Sequence, residues 1–205
     1  MKKIYIALAL VAALSAGASW AGNMSVGKTT LSGDKLVLDN APGDGGKPIE
    51  TVKASGHANL ISIAPAGQLK PGAMRLDSLK ADDIEIVMTR GNKGRMSTKR
   101  ASATGGVVIK AKRMDEEDGP NGKKVMVLRD VSAVAKSAEL PDGVNSLVLT
   151  GDVTVKVTDP GNPEPLVHVS GDKVTVDLQT SRITVEGQPG SPAALILSPK
   201  EGNKK

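Results

Sequence analysis

Hydrophobic and polar residues alternate with a period of two along most of the chain, and helical spacing is nowhere sustained over the roughly 11 residues that would argue for a helix. In Gly151–Val157, Val153, Val155 and Val157 point one way while Asp152, Thr154 and Lys156 point the other, the pattern of a half-buried strand. The same rule assigns Leu36 and Leu38, then Ile84, Ile86 and Met88, then Val107, Ile109 and Ala111, then Val174 and Val176, then Ile183 and Val185 to one buried face. Val125–Leu128 is apolar on both faces and fixes no orientation. Turn-formers separate these runs at 40–46, 65–72, 91–94, 118–122, 141–143 and 159–165. Short strands between such turns predict an all-β, largely antiparallel protein.

The N-terminus carries an address. Met1-Lys2-Lys3 supplies a positive start, Ile4–Ala16 an almost unbroken apolar run, and Ser19-Trp20-Ala21 a small-x-small site before Gly22. This is the pattern of a cleavable secretory signal of bacterial style over residues 1–21, with Ala16-Gly17-Ala18 as a second cleavage site. The apolar run is about 15 residues at most, short of the roughly 20 that a spanning helix needs. Residues 22–198 are then predicted to form a single β domain, soluble in the periplasm, followed by a polar, disordered tail over 199–205.

Internal repetition is a second signal. Ser32-Gly33-Asp34-Lys35-Leu36-Val37-Leu38-Asp39 recurs as Ser170-Gly171-Asp172-Lys173-Val174-Thr175-Val176-Asp177, with a degenerate copy at Ala81-Asp82-Asp83-Ile84-Glu85-Ile86. Gly56, Gly105 and Gly151 each open a further apolar run. A unit of about 46 residues repeated about four times fits, with the third Gly-Asp copy missing. Each unit is predicted to hold a strand led by Gly-Asp, a turn and a return strand led by Gly, and such hairpins stack to share one core. Ser-Gly-Asp is also ordinary turn chemistry, so a set of unrelated turns remains the alternative.

Composition narrows the chemistry. The chain has 205 residues, with 27 Lys plus Arg against 22 Asp plus Glu, no Cys, no Phe, one Trp and one Tyr. Tyr5 and Trp20 lie in the predicted signal, so the exported domain has no Phe, Tyr or Trp ring. That argues against base-stacking nucleic-acid platforms and against aromatic sugar or quaternary-amine sites. The lack of Cys excludes thiolate metal sites, Cys nucleophiles and disulfides. His57 and His168 have no i, i+4 partner and point to neither a metal site nor a general base. Gly22–Thr29 spells the phosphate-loop pattern but has no strand before it and no helical pattern after it. Asp115–Asp118 lacks the spaced oxygens of a calcium loop and reads as a solvated hairpin tip. No catalytic triad or carboxylate pair stands out, so no enzymatic activity is predicted.

The stretch Leu147-Val148-Leu149-Thr150-Gly151-Asp152-Val153-Thr154-Val155, followed by Val169–Asp177 and by Arg182-Ile183-Thr184-Val185-Glu186-Gly187, resembles the OstA-like repeat family. That family's pattern runs aliphatic-x-Gly-Asn/Asp-Val-x-Val, then Gly-Asp-x-aliphatic-x-Val-Asp, then Ile-x-Val-x-Gly. Gly33–Asp39 with Gly56–Ile63, and Asp82–Met88 with Gly105–Ala111, carry the outline with longer loops. The resemblance implies an all-β jellyroll of stacked short antiparallel strands, open at both ends, whose apolar interior accepts the acyl chains of lipid A. It further implies a lipopolysaccharide carrier that bridges inner- and outer-membrane transport complexes, with head-to-tail self-assembly through edge strands and no cofactor. The chain departs from the family pattern in its long predicted loops at 40–51 and 159–165 and in an interior lined by aliphatic residues and Met alone.

On this reading the lipid-groove candidates are Leu36, Leu38, Ile84, Ile86, Val107, Ile109, Val153, Val155, Val174 and Val176. Guanidinium groups bind phosphate bidentately, so Arg90, Lys93 and Arg95 around Gly91–Gly94 are phosphate-contact candidates, against the alternative of an exposed hairpin with no ligand. Nucleic acid is not an expected partner. The same inward positions would equally serve a closed, dry core, and the rival reading is a structural or adhesive extracytoplasmic β-repeat protein.

Overall fold

The computed structural model describes residues 19–26, 29–42, 48–62, 69, 71–72, 74–90, 96–141, 146–160, 162, 164–177, 182–188 and 192–197. Ten strands follow one another: β1 (Ser19–Val26), β2 (Thr29–Pro42), β3 (Pro48–Ser62), β4 (Met74–Arg90), β5 (Met96–Asp118), β6 (Lys124–Leu140), β7 (Ser146–Thr158), β8 (Pro165–Asp177), β9 (Ile183–Glu186) and β10 (Ala194–Leu197). They form one antiparallel sheet in chain order from β1 to β8, with β10 and β9 pairing against the two halves of β8. The single helical segment among the described residues is a 3-10 turn, Pro120–Gly122, at the β5–β6 connection. The all-β, antiparallel expectation holds. Residues 1–18 of the expected signal and the expected tail over 199–205 lie outside the described residues, whereas Ser19–Ala21, the last residues of the expected signal, belong to β1.

Strands β2 to β8 are longer than the sequence pattern suggested, from 13 residues in β7 and β8 to 23 in β5. The reason is that the Gly-Asp and Gly signals do not open strands. They sit in the middle of them, where each strand bends. Ladder pairing is interrupted at one level right across the sheet: between Ser32 and Lys35 in β2, Ser55 and Ala58 in β3, Lys80 and Asp83 in β4, Thr104 and Val107 in β5, Val134 and Ser137 in β6, and Thr150 and Val153 in β7. The predicted loop over 40–51 is mostly strand as well, since β2 runs to Pro42 and β3 starts at Pro48.

Two devices alternate along this seam. In β3, β5 and β7 a glycine begins a left-handed step: Gly56-His57, Gly105-Gly106 and Gly151-Asp152 all have positive φ. Such two-residue steps re-aim a strand; glycine fills the first position of each, where a Cβ at positive φ would meet the following carbonyl, while His57 and Asp152 hold the second position at φ 52° and 49°. In β2, β4, β6 and β8 the inward alternation instead skips a residue, from Gly33 to Leu36, Ala81 to Ile84, Ala135 to Ala138 and Gly171 to Val174. Each skip starts with a small residue followed by a charged one: Asp34, Asp82, Lys136 or Asp172. The third repeat copy is therefore present as Ala135-Lys136-Ser137-Ala138.

Bending every strand at one level lets a single sheet cover its own apolar face. On one side of the seam the paired positions Leu31, Leu60, Leu79, Ile109, Ala133, Val155, Val169 and Leu195 form one row from β2 to β10. On the other, Leu36, Ala54, Ile84, Ala103, Ala138, Leu149, Val174 and Val185 do the same from β2 to β9. Residues of both rows belong to one hydrophobic cluster. Among the described residues only the sheet itself can cover this face, so the two halves close on each other as a jellyroll of stacked antiparallel strands.

The seam generates a testable contrast. An added Cβ at Gly105 (φ 80°) would collide with the Asp82 side chain, whereas at Gly72 (φ 73°) it would meet nothing within 4 Å. Gly72→Ala should cost only the backbone strain of about 1–2 kcal/mol, and Gly105→Ala clearly more, in urea unfolding. Equal costs would mean that packing at the seam is not what demands glycine.

Candidate functional site

The interior between the two halves is built almost wholly of aliphatic side chains and alanine. Of the residues expected to line it, Leu36, Leu38, Ile84, Val107, Ile109, Val153, Val155, Val174 and Val176 are buried, and Ile86 is half-buried against the same cluster. Leu36, Val107 and Val174, directly beside the bends, have no exposed surface at all. Sequence reasoning missed the share supplied by Val52, Ala54 and Ala58 of β3 and by Val131, Ala133, Ala135 and Ala138 of β6. Ala alternating with Ser and Lys gives a weak period-two signal, although the alternation is there to be read. One charged residue among those described is buried, Glu50, which extends the inward line of Val52 and Ala54 and lies opposite Met88.

At the other end the apolar rows give way to an ionic collar. The inward layer Leu76, Ala111, Val131, Val157 and Val167 is followed by Met74, Arg113 and Arg129, and Asp159 is the first residue after β7 on the same side. Beyond them β5 and β6 continue as a two-stranded hairpin, Asp115 opposite Val127 and Glu117 opposite Val125. Arg129 donates from Nε to Asp159 Oδ1 at 2.9 Å and from one terminal nitrogen to Asp115 Oδ2 at 2.6 Å, and its other terminal nitrogen reaches Glu117. Arg113 Nε donates to Asp115 Oδ1 at 2.7 Å. Burial alone would lower the pKa of the Arg129 guanidinium, but hydrogen bonds to Asp115, Asp159 and Glu117 outweigh it and hold the pKa above its usual value.

This corrects the reading of Asp115–Asp118 as a solvated tip. The turn follows the run, at Gly119–Lys123, and strand alternation divides the run itself. Asp115 and Glu117 face the arginines, their side chains 13% and 22% exposed, while Glu116 and Asp118 face solvent beside Lys124. Val125 and Val127, whose orientation the sequence left open, share the face of Asp115 and Glu117.

Outside, the seam carries a line of charges. His57 Nδ1 lies 3.0 Å from Asp34 Oδ2, and Lys136 Nζ lies 2.7 Å from Asp152 Oδ2. Hydrogen bonding to Asp34, then its charge, raises the His57 pKa, with a smaller contribution from Asp82. Lys136 is raised in the same way by Asp152, with help from Asp172. All these groups are exposed, so they mark where the strands bend without adding much to stability.

The phosphate-contact candidates Lys93 and Arg95 lie outside the described residues, as does the side chain of Arg90 at the end of β4. Gly22–Thr29 is no phosphate cradle: Gly22–Val26 belongs to β1 and Thr29 opens β2, with Val26 paired to Thr29. A phosphate loop needs a helix whose N-terminal amides aim at the ligand, and a strand stands in its place. No group of three metal-ligating side chains occurs among the described residues.

No family model and no curated protein matches the chain. Among solved structures, similarity extends to LptH from Pseudomonas aeruginosa, the LptA-homologous periplasmic component of a lipopolysaccharide transport device. That structure is 12% identical, with a TM-score of 0.48, over 83% of this chain and 95% of that one.

The seam predicts a pH signature. By NMR titration His57 should titrate above the ordinary value of about 6.5, and Asp34→Asn should lower it toward that value. Because the folded pKa is the raised one, the associated stabilisation is complete below the unfolded value and is lost as pH rises through the folded one. An unchanged titration in Asp34→Asn would refute the pairing.

Proposed function

We propose that this chain is a non-enzymatic periplasmic carrier that binds lipopolysaccharide through its acyl chains and bridges transport complexes of the inner and outer membranes. The observation that carries the reading is the unbroken aliphatic lining. Every central strand contributes inward residues to one continuous apolar surface, with no aromatic ring among them. Such a surface suits acyl chains, since each buried methylene gains about 0.8 kcal/mol and nothing directional holds a chain at one place. The predicted export signal and the likeness of 147–187 to the OstA-like repeats support the same reading.

The lining residues are mostly buried without lipid, so loading is proposed to part the halves. Leu36, Leu38, Ile84, Ile86, Val107, Ile109, Val153, Val155, Val174 and Val176 are the proposed acyl contacts, and Arg90, Lys93 and Arg95 the proposed phosphate contacts. The sheet is unclosed, ending at β1 on one side and at β9 and β10 on the other, and an unpaired edge is a template for another strand. Head-to-tail self-assembly and docking to membrane partners are proposed to use these two edges. Leu195, Ile196 and Leu197 of β10 are more than half exposed, as a docking strand would be before its partner arrives.

The burial of the lining also favours a second reading, a structural or adhesive β-repeat protein with a filled core. Photocrosslinking separates the two. A benzophenone-type residue placed in turn at Ile86, Ile109 and Val155 should capture lipopolysaccharide, and the outward positions Thr154 and Lys156 should not. A folded protein that captures no lipid from any inward position would overturn the carrier reading in favour of the filled core.

A further inference from the structure

We infer that the outward face of one half of the sheet docks on an anionic lipid surface through Lys80, Lys110 and Lys156. Each of the three lies between two inward aliphatic residues, Leu79 and Ala81, Ile109 and Ala111, or Val155 and Val157, so strand alternation sends it outward, and all three are exposed. The register gathers them into one patch. Lys110 and Lys156 both pair with Ser132 of β6, which sets them two strands, about 10 Å, apart, and Lys80 pairs with Val108 one row nearer the bend. Their neighbours on this face, Ser78, Val108, Ser132 and Thr154, are short, so the lysine heads are the outermost groups of the patch.

The patch keeps its charge because the other ions around it neutralise one another. Arg75 Nε donates to Asp77 Oδ1 at 3.0 Å and Lys112 is paired with Asp130, whereas Lys80, Lys110 and Lys156 have no ion-pair partner among the described residues. The seam acids border the patch, but Asp34 and Asp82 act on His57, and Asp152 and Asp172 on Lys136. The outward face of the other half has the opposite bias: Lys53 and Arg100 share Glu85 and Lys173 holds Glu186, which leaves Asp39, Asp83 and Glu139 against Lys35. A protein partner would need anchors of another kind. Interface hot spots are built on Trp, Tyr and Arg, and this face has no Trp or Tyr among the described residues, while its arginine, Arg75, is already paired and has a side chain only 16% exposed. Ammonium groups are compact point charges that need no fixed partner geometry, which fits a fluid layer of phosphate headgroups. The inference concerns the outer face, so it stands or falls independently of what fills the interior.

Vesicle flotation of the folded protein tests this. Vesicles of phosphatidylcholine mixed with phosphatidylglycerol should bind it at low salt, and vesicles of phosphatidylcholine alone should not. Raising the salt should release it, because exposed charges are screened beyond about 8 Å at physiological ionic strength. Lys80→Gln, Lys110→Gln and Lys156→Gln together should weaken binding by about a hundredfold, about fivefold for each lysine. Lys35→Gln, Lys53→Gln and Lys173→Gln together, an equal loss of charge from the other outer face, should change it little. Lys110→Gln alone gives the fivefold step if the triple variant does not fold. Equal binding to the neutral vesicles, or equal loss in the two triple variants, would overturn the inference. Tighter binding to polyglutamate than to the anionic vesicles would overturn it in favour of an acidic protein partner.

Discussion

Everything in this molecule depends on one geometric requirement: all the central strands must bend at the same level. A flat antiparallel sheet with one apolar face leaves that face wet, and the only helix among the described residues is a three-residue 3-10 turn, too short to cover it. The solution is to fold the sheet across itself. Strands that bend out of step would break the ladder, so the bends must line up from β2 to β8. The left-handed steps at Gly56, Gly105 and Gly151 and the skips at Asp34, Asp82, Lys136 and Asp172 are two local ways of meeting that requirement on alternate strands. Charge at the skips follows from the same geometry, because the residue after the small one is thrown outward at the crest of the bend.

The interior that results has unusual chemistry for its size. Alanine is frequent in β5 and β6 and aromatic rings are missing from the cluster, so the halves meet over a thin layer of small and branched side chains. Such an interface is held by area and not by interlocking anchors, and it has few polar contacts that would forbid separation. The polar exceptions lie at its ends, Glu50 on one side and the Arg129 collar on the other. A structure arranged in this way confines its adjustable electrostatics to the places where the interior would meet solvent or guest.

Much of this was legible in the chain. Period-two alternation gave the strand class and most of the inward residues, and the recurrence of Gly-Asp pointed to a repeating unit. What the letters concealed was the meaning of that unit. A motif that ordinarily opens strands instead marks their bends, because a bulge and a turn use the same residues. The copy at Ala135-Lys136 went unseen since both letters differ, although the small-then-charged pattern and the skip to Ala138 are kept. The collar was hidden for another reason. Arg129 lies more than a dozen residues from Asp115 and thirty from Asp159, and only the register of three strands brings them together.

The central claim is that the two halves part about the seam to admit lipid. Spin labels placed by Asp39→Cys on the outer face of one half and Lys110→Cys on that of the other report the separation directly by pulsed dipolar spectroscopy. The account predicts a distance distribution that lengthens when lipopolysaccharide is added and returns when it is removed. A distribution unchanged by saturating lipopolysaccharide in the folded protein would contradict it.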